Sequence, residues 1–164
     1  MKRIVQSALV LLAMSLIACN SENEQKSEER KVDSNPKQIN TDMNSFVSLF
    51  EIPATDLSRA VSFYEEVLNI KIEKMEMPGM EMGIFPYEQQ LVTGVIMKGE
   101  GFIPSAVGPT IYLNAGDNLQ PILDRVEKSG GKIVMPKTAH ADESGFFALF
   151  LDTEGNRLGL NSPN

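Results

Sequence analysis

The sequence predicts an α+β domain of two tandem βαβββ modules. Three observations carry that expectation. Apolar residues recur at helical spacing in two separate segments. Each segment is preceded by one short β-rich run and followed by three more. A shift of about 62 residues lays Leu57, Ala60, Val61 and Tyr64 of the first on Leu119, Ile122, Leu123 and Val126 of the second, as an internal repeat requires.

The elements can be taken in order. "FVSLFEI" (Phe46 to Ile52) is apolar and β-rich. A turn through Pro53 leads to Asp56, an N-cap for the helix whose apolar positions are Leu57, Ala60, Val61, Tyr64 and Leu68, with Asn69 as its stop. "IKIEKMEM" and "MEMGIFP" flank Pro78-Gly79, and "LVTGVIM" (Leu91 to Met97) completes the first module. "KGEGFIPSAVGP" (Lys98 to Pro109) then joins the modules and exposes Phe102 and Ile103.

The second module opens with "PTIYLNA" (Pro109 to Ala115) and a helix capped by Asp117 or Asn118, ended by "SGG" (Ser129 to Gly131). "KIVM", "GFFALFLD" and "NRLGLN" are its remaining strands, with Thr153-Glu154-Gly155-Asn156 as a tight hairpin turn.

Ahead of the domain, residues 1–18 read as a secretory signal: Lys2 and Arg3, then an apolar run from Ile4 to Ile17. "LIAC" ends at Cys19, the only cysteine, so an intramolecular disulfide and Cys-pair metal sites are excluded. A small-residue cleavage site followed at once by Cys resembles the bacterial lipobox, in which that Cys is acylated; the plainer alternative is ordinary cleavage beside an incidental Cys. Acylation would make the lipid bilayer a partner, since each buried methylene contributes roughly 0.8 kcal/mol. Asn20 in place of Asp resembles the sorting pattern for the outer rather than the inner membrane of a cell envelope.

Residues 19–45 are polar and charged and read as a flexible tether. The folded domain is expected over 46–162. A net charge of -7 and a pI near 4.8, without any Lys/Arg run, argue against nucleic acid as a partner.

"DLSRAVSFYEEVLNI", "SGGKIV" and "LFLDTEGNRLGL" resemble the vicinal oxygen chelate superfamily, the group of glyoxalases, bleomycin-resistance proteins and extradiol dioxygenases. The likeness covers Phe46 to Ser162 and implies that the curved mixed sheets form a cup with the helices packed outside, the Lys98–Pro109 loop being either a cover over its mouth or a plain linker; in the enzymes a divalent metal sits inside the cup. It also implies where the metal ligands would fall: Leu49, its repeat counterpart Ile111, Gly159 on the last strand, and a position near Gly94. None can bind a metal through its side chain. With one His in the chain, a 2-His-1-carboxylate site within one chain is excluded by count; only an intermolecular or all-oxygen site would hold a metal. No cofactor is therefore expected.

The cup is expected to be apolar, lined by Val47, Leu49, Ile96, Ile111 and Leu113 on strand parity, and to take a small hydrophobic or aromatic molecule. Phe85, Tyr87, Phe147 and Phe150 are either stacking surfaces or core. Glu51 shares parity with Leu49 and reads as a general base or as a rim carboxylate paired with Arg157. His140, in "KTAHADESG", is a proton carrier or a solvated loop residue.

Three functions follow as expectations: a metal-free, membrane-anchored binder or sequestering protein, monomer or homodimer; a lyase, isomerase or dioxygenase using Glu51 and His140; or a Cu(I) binder through Met75, Met77, Met80 and Met82. The last competes with those methionines packing one hairpin face, Glu76 and Glu81 taking the other.

Overall fold

The computed structural model describes residues 45–164; the expected signal segment, Cys19 and all but the end of the tether lie outside the described residues. Along the chain run β1 (Leu49–Pro53), α1 (Leu57–Leu68), β2 (Glu73–Met77), β3 (Met80–Ile84), β4 (Thr93–Gly99), β5 (Tyr112–Asn114), α2 (Gln120–Lys128), β6 (Lys132–Ala139), β7 (Phe146–Leu151) and β8 (Arg157–Ser162). The strands form two four-stranded sheets of order β1-β4-β3-β2 and β5-β8-β7-β6. In each, the first strand of the module, at one edge, pairs in parallel with its neighbour, Leu49 opposite Thr93 and Tyr112 opposite Gly159, and the other pairings are antiparallel. The tandem βαβββ architecture is the one the repeat predicts.

Helix α1 begins where Asp56, in extended conformation at φ -129°, accepts a hydrogen bond from the Arg59 N–H at 3.0 Å. It ends at Asn69, whose φ of 54° is the left-handed state that Asn tolerates. Leu57, Ala60, Val61 and Tyr64 are buried as the period requires, and so are Phe63 and Val67. The helix is thus covered on more than one side. Val61 faces Gly83 of β3, where a Cβ would lie only 2.9 Å from Val61 Cγ2; Phe63 reaches Phe150 of β7, ring centroids 6.2 Å apart.

Helix α2 is capped differently from the expectation. Leu119 is the boundary residue, with helical φ and ψ and no side-chain cap of its own. Asn118 Oδ1 instead accepts from the Gln120 N–H, and Ser162 Oγ of β8 accepts from the Leu119 N–H, both at 3.0 Å. Asn118 therefore acts as expected of a cap, one position early, helped by a distant serine. Strand β6 is longer than the expected "KIVM", with register irregularities on both sides of Met135 before it re-pairs at Thr138. Pro136 falls in that irregular stretch, as a residue without an N–H should.

The five residues Asp152–Asn156 between β7 and β8 join the modules. Asp152 is 5% exposed. Its Oδ1 accepts from the N–H groups of Glu154 (2.9 Å) and Asn156 (2.8 Å), and its Oδ2 from Tyr64 Oη–H (2.7 Å) and Asn156 Nδ2 (2.9 Å). Four donors fill the lone-pair positions of the buried carboxylate. Burial, then Asp152, pushes the Tyr64 phenol well above its usual range, so it stays a donor. Gly155 supplies the φ of 92° that closes the turn.

Glu154 extends the junction to the start of α1. Its side chain has 0% exposure and pairs with Arg59 Nε at 2.7 Å, the Arg59 side chain being half exposed. It also accepts from Thr55 Oγ1 (2.8 Å) and the N–H groups of Thr55 (2.9 Å) and Asp56 (3.1 Å). Burial opposes ionisation, but these hydrogen bonds outweigh it and bring the carboxyl from 4.5 down to about 2.

A group bound more acidic in the native state stabilises it above its unfolded value, and that contribution disappears as pH falls from about 4.5 towards about 2. It is on the order of 2–3 kcal/mol, allowing for water screening of half-exposed Arg59. Urea denaturation of wild type and Glu154→Gln at pH 7, 4 and 2.5 checks this. The variant is expected to be less stable at pH 7, with the gap narrowing at each lower pH; a gap independent of pH would contradict it.

Candidate functional site

Strand parity sorts the candidate residues onto two faces of each sheet. In the first sheet Phe50, Ile52, Gly94 and Ile96 share the helix-facing side, while Leu49, Glu51, Thr93, Val95 and Met97 share the outer side. In the second, Leu113, Leu160 and Ala148 face inward, and Tyr112, Gly159 and Leu149 outward. Ile96 is 0% and Leu113 8% exposed. Ile96 is therefore core rather than cup wall, contrary to the sequence expectation, whereas Leu113, largely buried, also borders the larger of the two cavities described below. Leu49 and Tyr112 are both close to half exposed.

The metal positions inferred from resemblance do not fit a metal. A Cβ on Gly94 would lie 2.4 Å from the Phe50 ring, and one on Gly159 would lie 2.2 Å from the Tyr112 ring. Each aromatic ring fills the space a ligating side chain would need. Ile111 precedes β5 and packs against the core, its carbonyl accepting from the Gly159 N–H at 2.9 Å. The outward-facing residue of that strand is Tyr112, so the repeat spacing slips by one between helix and strand. Among the described residues, no group of three or more His, Cys, Asp or Glu side chains is placed to hold an ion.

Five methionines share the outer face of the first sheet. Met75 pairs with Met82 and Met77 with Met80 across the hairpin, and Met82 pairs with Met97 of β4. Glu76 and Glu81 are paired on the opposite face, as alternation predicts. Met75 and Met77 are more than 40% exposed, which leaves a soft, deformable apolar surface.

Two cavities lie where the modules meet. The larger, about 830 Å³, has walls from both: Phe50, Phe85 and Leu91 from the first, Tyr112, Leu113 and Ile122 from the second, with Val47 from the chain ahead of β1. Gln89, Gln90 and Asn114 supply amides. Among the described residues, its wall contains no Asp, Glu, His, Cys, Lys or Arg. The smaller, about 240 Å³, lies beside the Asp152–Asn156 turn and contains Glu51, Ile111 and Arg157, with Ile103 and Val107 of the inter-module loop. Neither the larger cavity's helix-side walls nor Asn156 beside Arg157 has a local signal in the sequence; parity with Gly159 is what points to Arg157.

Glu51 and Arg157 share the smaller cavity without forming an ion pair. His140 is elsewhere. Its Nε2 is 2.8 Å from Asn161 Oδ1, and its ring lies 4.9 Å from that of Phe147, which in turn contacts Tyr112 edge-on at 6.4 Å. His140 is thus packed on an aromatic surface rather than loose in a loop, and no hydrogen bond joins it to Glu51. Phe85 and Phe150 are core, and Tyr87 is exposed. In the inter-module loop Ile103 is exposed as expected, whereas Phe102 is half-buried.

A family model described as Glyoxalase/Bleomycin resistance protein/Dioxygenase superfamily matches residues 46–160. A glyoxylase-like domain-containing protein from Didymella fabae is 34% identical over 120 residues, which span 67% of this chain and 88% of that protein. Among solved structures, the antibiotic binding protein TnmS3 from Streptomyces sp. CB03234 superposes with a TM-score of 0.58 at 23% identity, over 73% of this chain and 97% of that one. Glyoxalase I from Zea mays superposes with a TM-score of 0.55 at 18% identity, over 70% of this chain and 45% of that one. The chain thus spans less than half the length of the maize protein. At these identities the structural likeness speaks to the fold alone.

Proposed function

Because the chain belongs to the glyoxalase/bleomycin resistance protein/dioxygenase superfamily, we propose that it is a lipid-anchored member that binds a small hydrophobic or aromatic molecule without a metal. The observation that carries this is the larger cavity, about 830 Å³ with apolar and aromatic walls from both modules. That volume suits a drug-sized ligand. Binding would rest on apolar area removed from water, at about 25 cal/mol per Å², and on stacking against Phe85 or Tyr112. The amides of Gln89, Gln90 and Asn114 would set orientation.

A wall whose described residues offer no carboxylate, imidazole, thiol or amine, and no reactive group beyond the Ser45 and Tyr112 hydroxyls, favours holding over transforming the ligand. The antibiotic-binding relative in fold lends this reading support from outside the chain. The anchor rests on the "LIAC" pattern ending at Cys19 and on the polar segment after it. It would keep the domain at the envelope surface, where a sequestering protein meets incoming molecules.

Fluorescence titration with the neutral probe N-phenyl-1-naphthylamine tests the cavity. Saturable enhancement at one probe per chain is expected, weakened at least tenfold by Ile122→Trp, which projects an indole into the space. Absence of saturable binding, or equal binding by the variant, would refute it. For the anchor, Cys19→Ser is expected to move the protein from the membrane to the soluble fraction on cell fractionation; an unchanged membrane fraction would contradict acylation at that residue.

A further inference from the structure

The smaller cavity contains an electrostatic arrangement that the larger one lacks. Arg157, at the start of β8, makes no ion pair among the described residues. Its Nη2 donates to two neutral acceptors, the Gly108 carbonyl at 3.2 Å and Thr110 Oγ1 at 3.0 Å. Its Nε is buried and has no hydrogen-bond partner among the described residues. A guanidinium cannot escape by losing its proton, and a buried unsatisfied donor costs roughly 1–3 kcal/mol, more when charged.

The cavity is open to solvent, and its loop side is held in place. The inter-module loop is fastened to the first residues of β8: the Arg157 N–H donates to the Ser105 carbonyl (3.3 Å) and the Ser105 N–H to Asn156 Oδ1 (3.0 Å). Ser105 Oγ and Val107 exchange a further pair of hydrogen bonds at 3.0 and 3.1 Å. Ile103, Val107 and Ile111 give the cavity aliphatic walls, and Glu51 contributes the one carboxylate among the described residues. Opposite charges thus line one small cavity without touching. A ligand carrying an anion at one end and a cation at the other would complete both.

We propose that this cavity is a binding site for a small aliphatic amino acid, with its carboxylate on the Arg157 guanidinium, its ammonium on Glu51 and its side chain against Ile103, Val107 and Ile111. The volume of about 240 Å³ leaves room for a ligand of about eight heavy atoms, at ~30 Å³ for each water displaced. L-Valine has that size. The site is separate from the larger cavity and does not depend on what that cavity holds.

Isothermal titration calorimetry on the full chain tests it with three probes of one shape: L-valine, 3-methylbutanoate, which lacks the amine, and isobutylamine, which lacks the carboxylate. Valine is expected to bind saturably at one per chain, and each of the other two at least tenfold more weakly. Arg157→Gln is expected to weaken valine at least tenfold. Glu51→Gln is expected to weaken valine at least fivefold while leaving 3-methylbutanoate unchanged or tighter, which a merely structural role for Glu51 would not produce.

Val107→Trp, at an exposed loop position, is expected to block valine with the fold intact by circular dichroism. The proposal is overturned if valine does not bind the wild type, if Arg157→Gln or Val107→Trp binds it equally well, or if 3-methylbutanoate matches valine. N-phenyl-1-naphthylamine binding should be unchanged by Arg157→Gln, which keeps the two cavities distinguishable.

Discussion

A carboxylate taken out of water must find donors or lose its charge, and the fold is organised around one that has. Asp152 is met by four donors from its own turn and from Tyr64. Tyr64 stands on α1 in the first module and Asp152 follows β7 in the second, so the bond fixes one module on the other. Asn156 continues the connection, donating to the Pro53 carbonyl at the end of β1 at 2.8 Å and accepting from Ser105 of the inter-module loop. Glu154 holds the start of α1. Removing one partner here would leave a buried polar group unmatched, the costly direction of the asymmetry in hydrogen-bond energetics.

The same junction positions the chemistry. Arg157 is the residue after Asn156, and the loop that encloses it is tied down through Ser105. The smaller cavity is therefore a consequence of the clamp. The larger one arises where β1 and β5, each paired on one side only, leave space between the modules that Phe50, Phe85, Tyr112 and Ile122 line without filling. On the outer strand faces, Tyr112 covers Gly159 and Leu49 offers only carbon.

Much of the fold was legible because its signals are local. Asp56, the apolar period of α1 and Asn69 mark one helix from end to end, and alternation in "MEMPGMEM" separates methionines from glutamates. The side of a strand was harder to read where alternation fails. Val95, Ile96 and Met97 are consecutive apolar residues, so nothing in the sequence says that Ile96 turns to the helices; that choice is made by pairing with Ile52 and Gly83. Capping of α2 by Ser162 and the reach of Glu154 to Arg59, 95 positions away, join distant segments and leave no local trace. Arg157 was legible as a position but not as an unpaired charge, because pairing depends on where Glu51 points.

The most direct test of a metal-free binding domain is native mass spectrometry of the full chain, extracted from membranes in non-ionic detergent and purified without chelator. The account predicts a protein with no stoichiometric divalent ion, observed alone or with an organic adduct. One divalent metal per chain, retained through buffer exchange, would contradict it and show that oxygen donors absent from the inferred ligand positions assemble a metal centre.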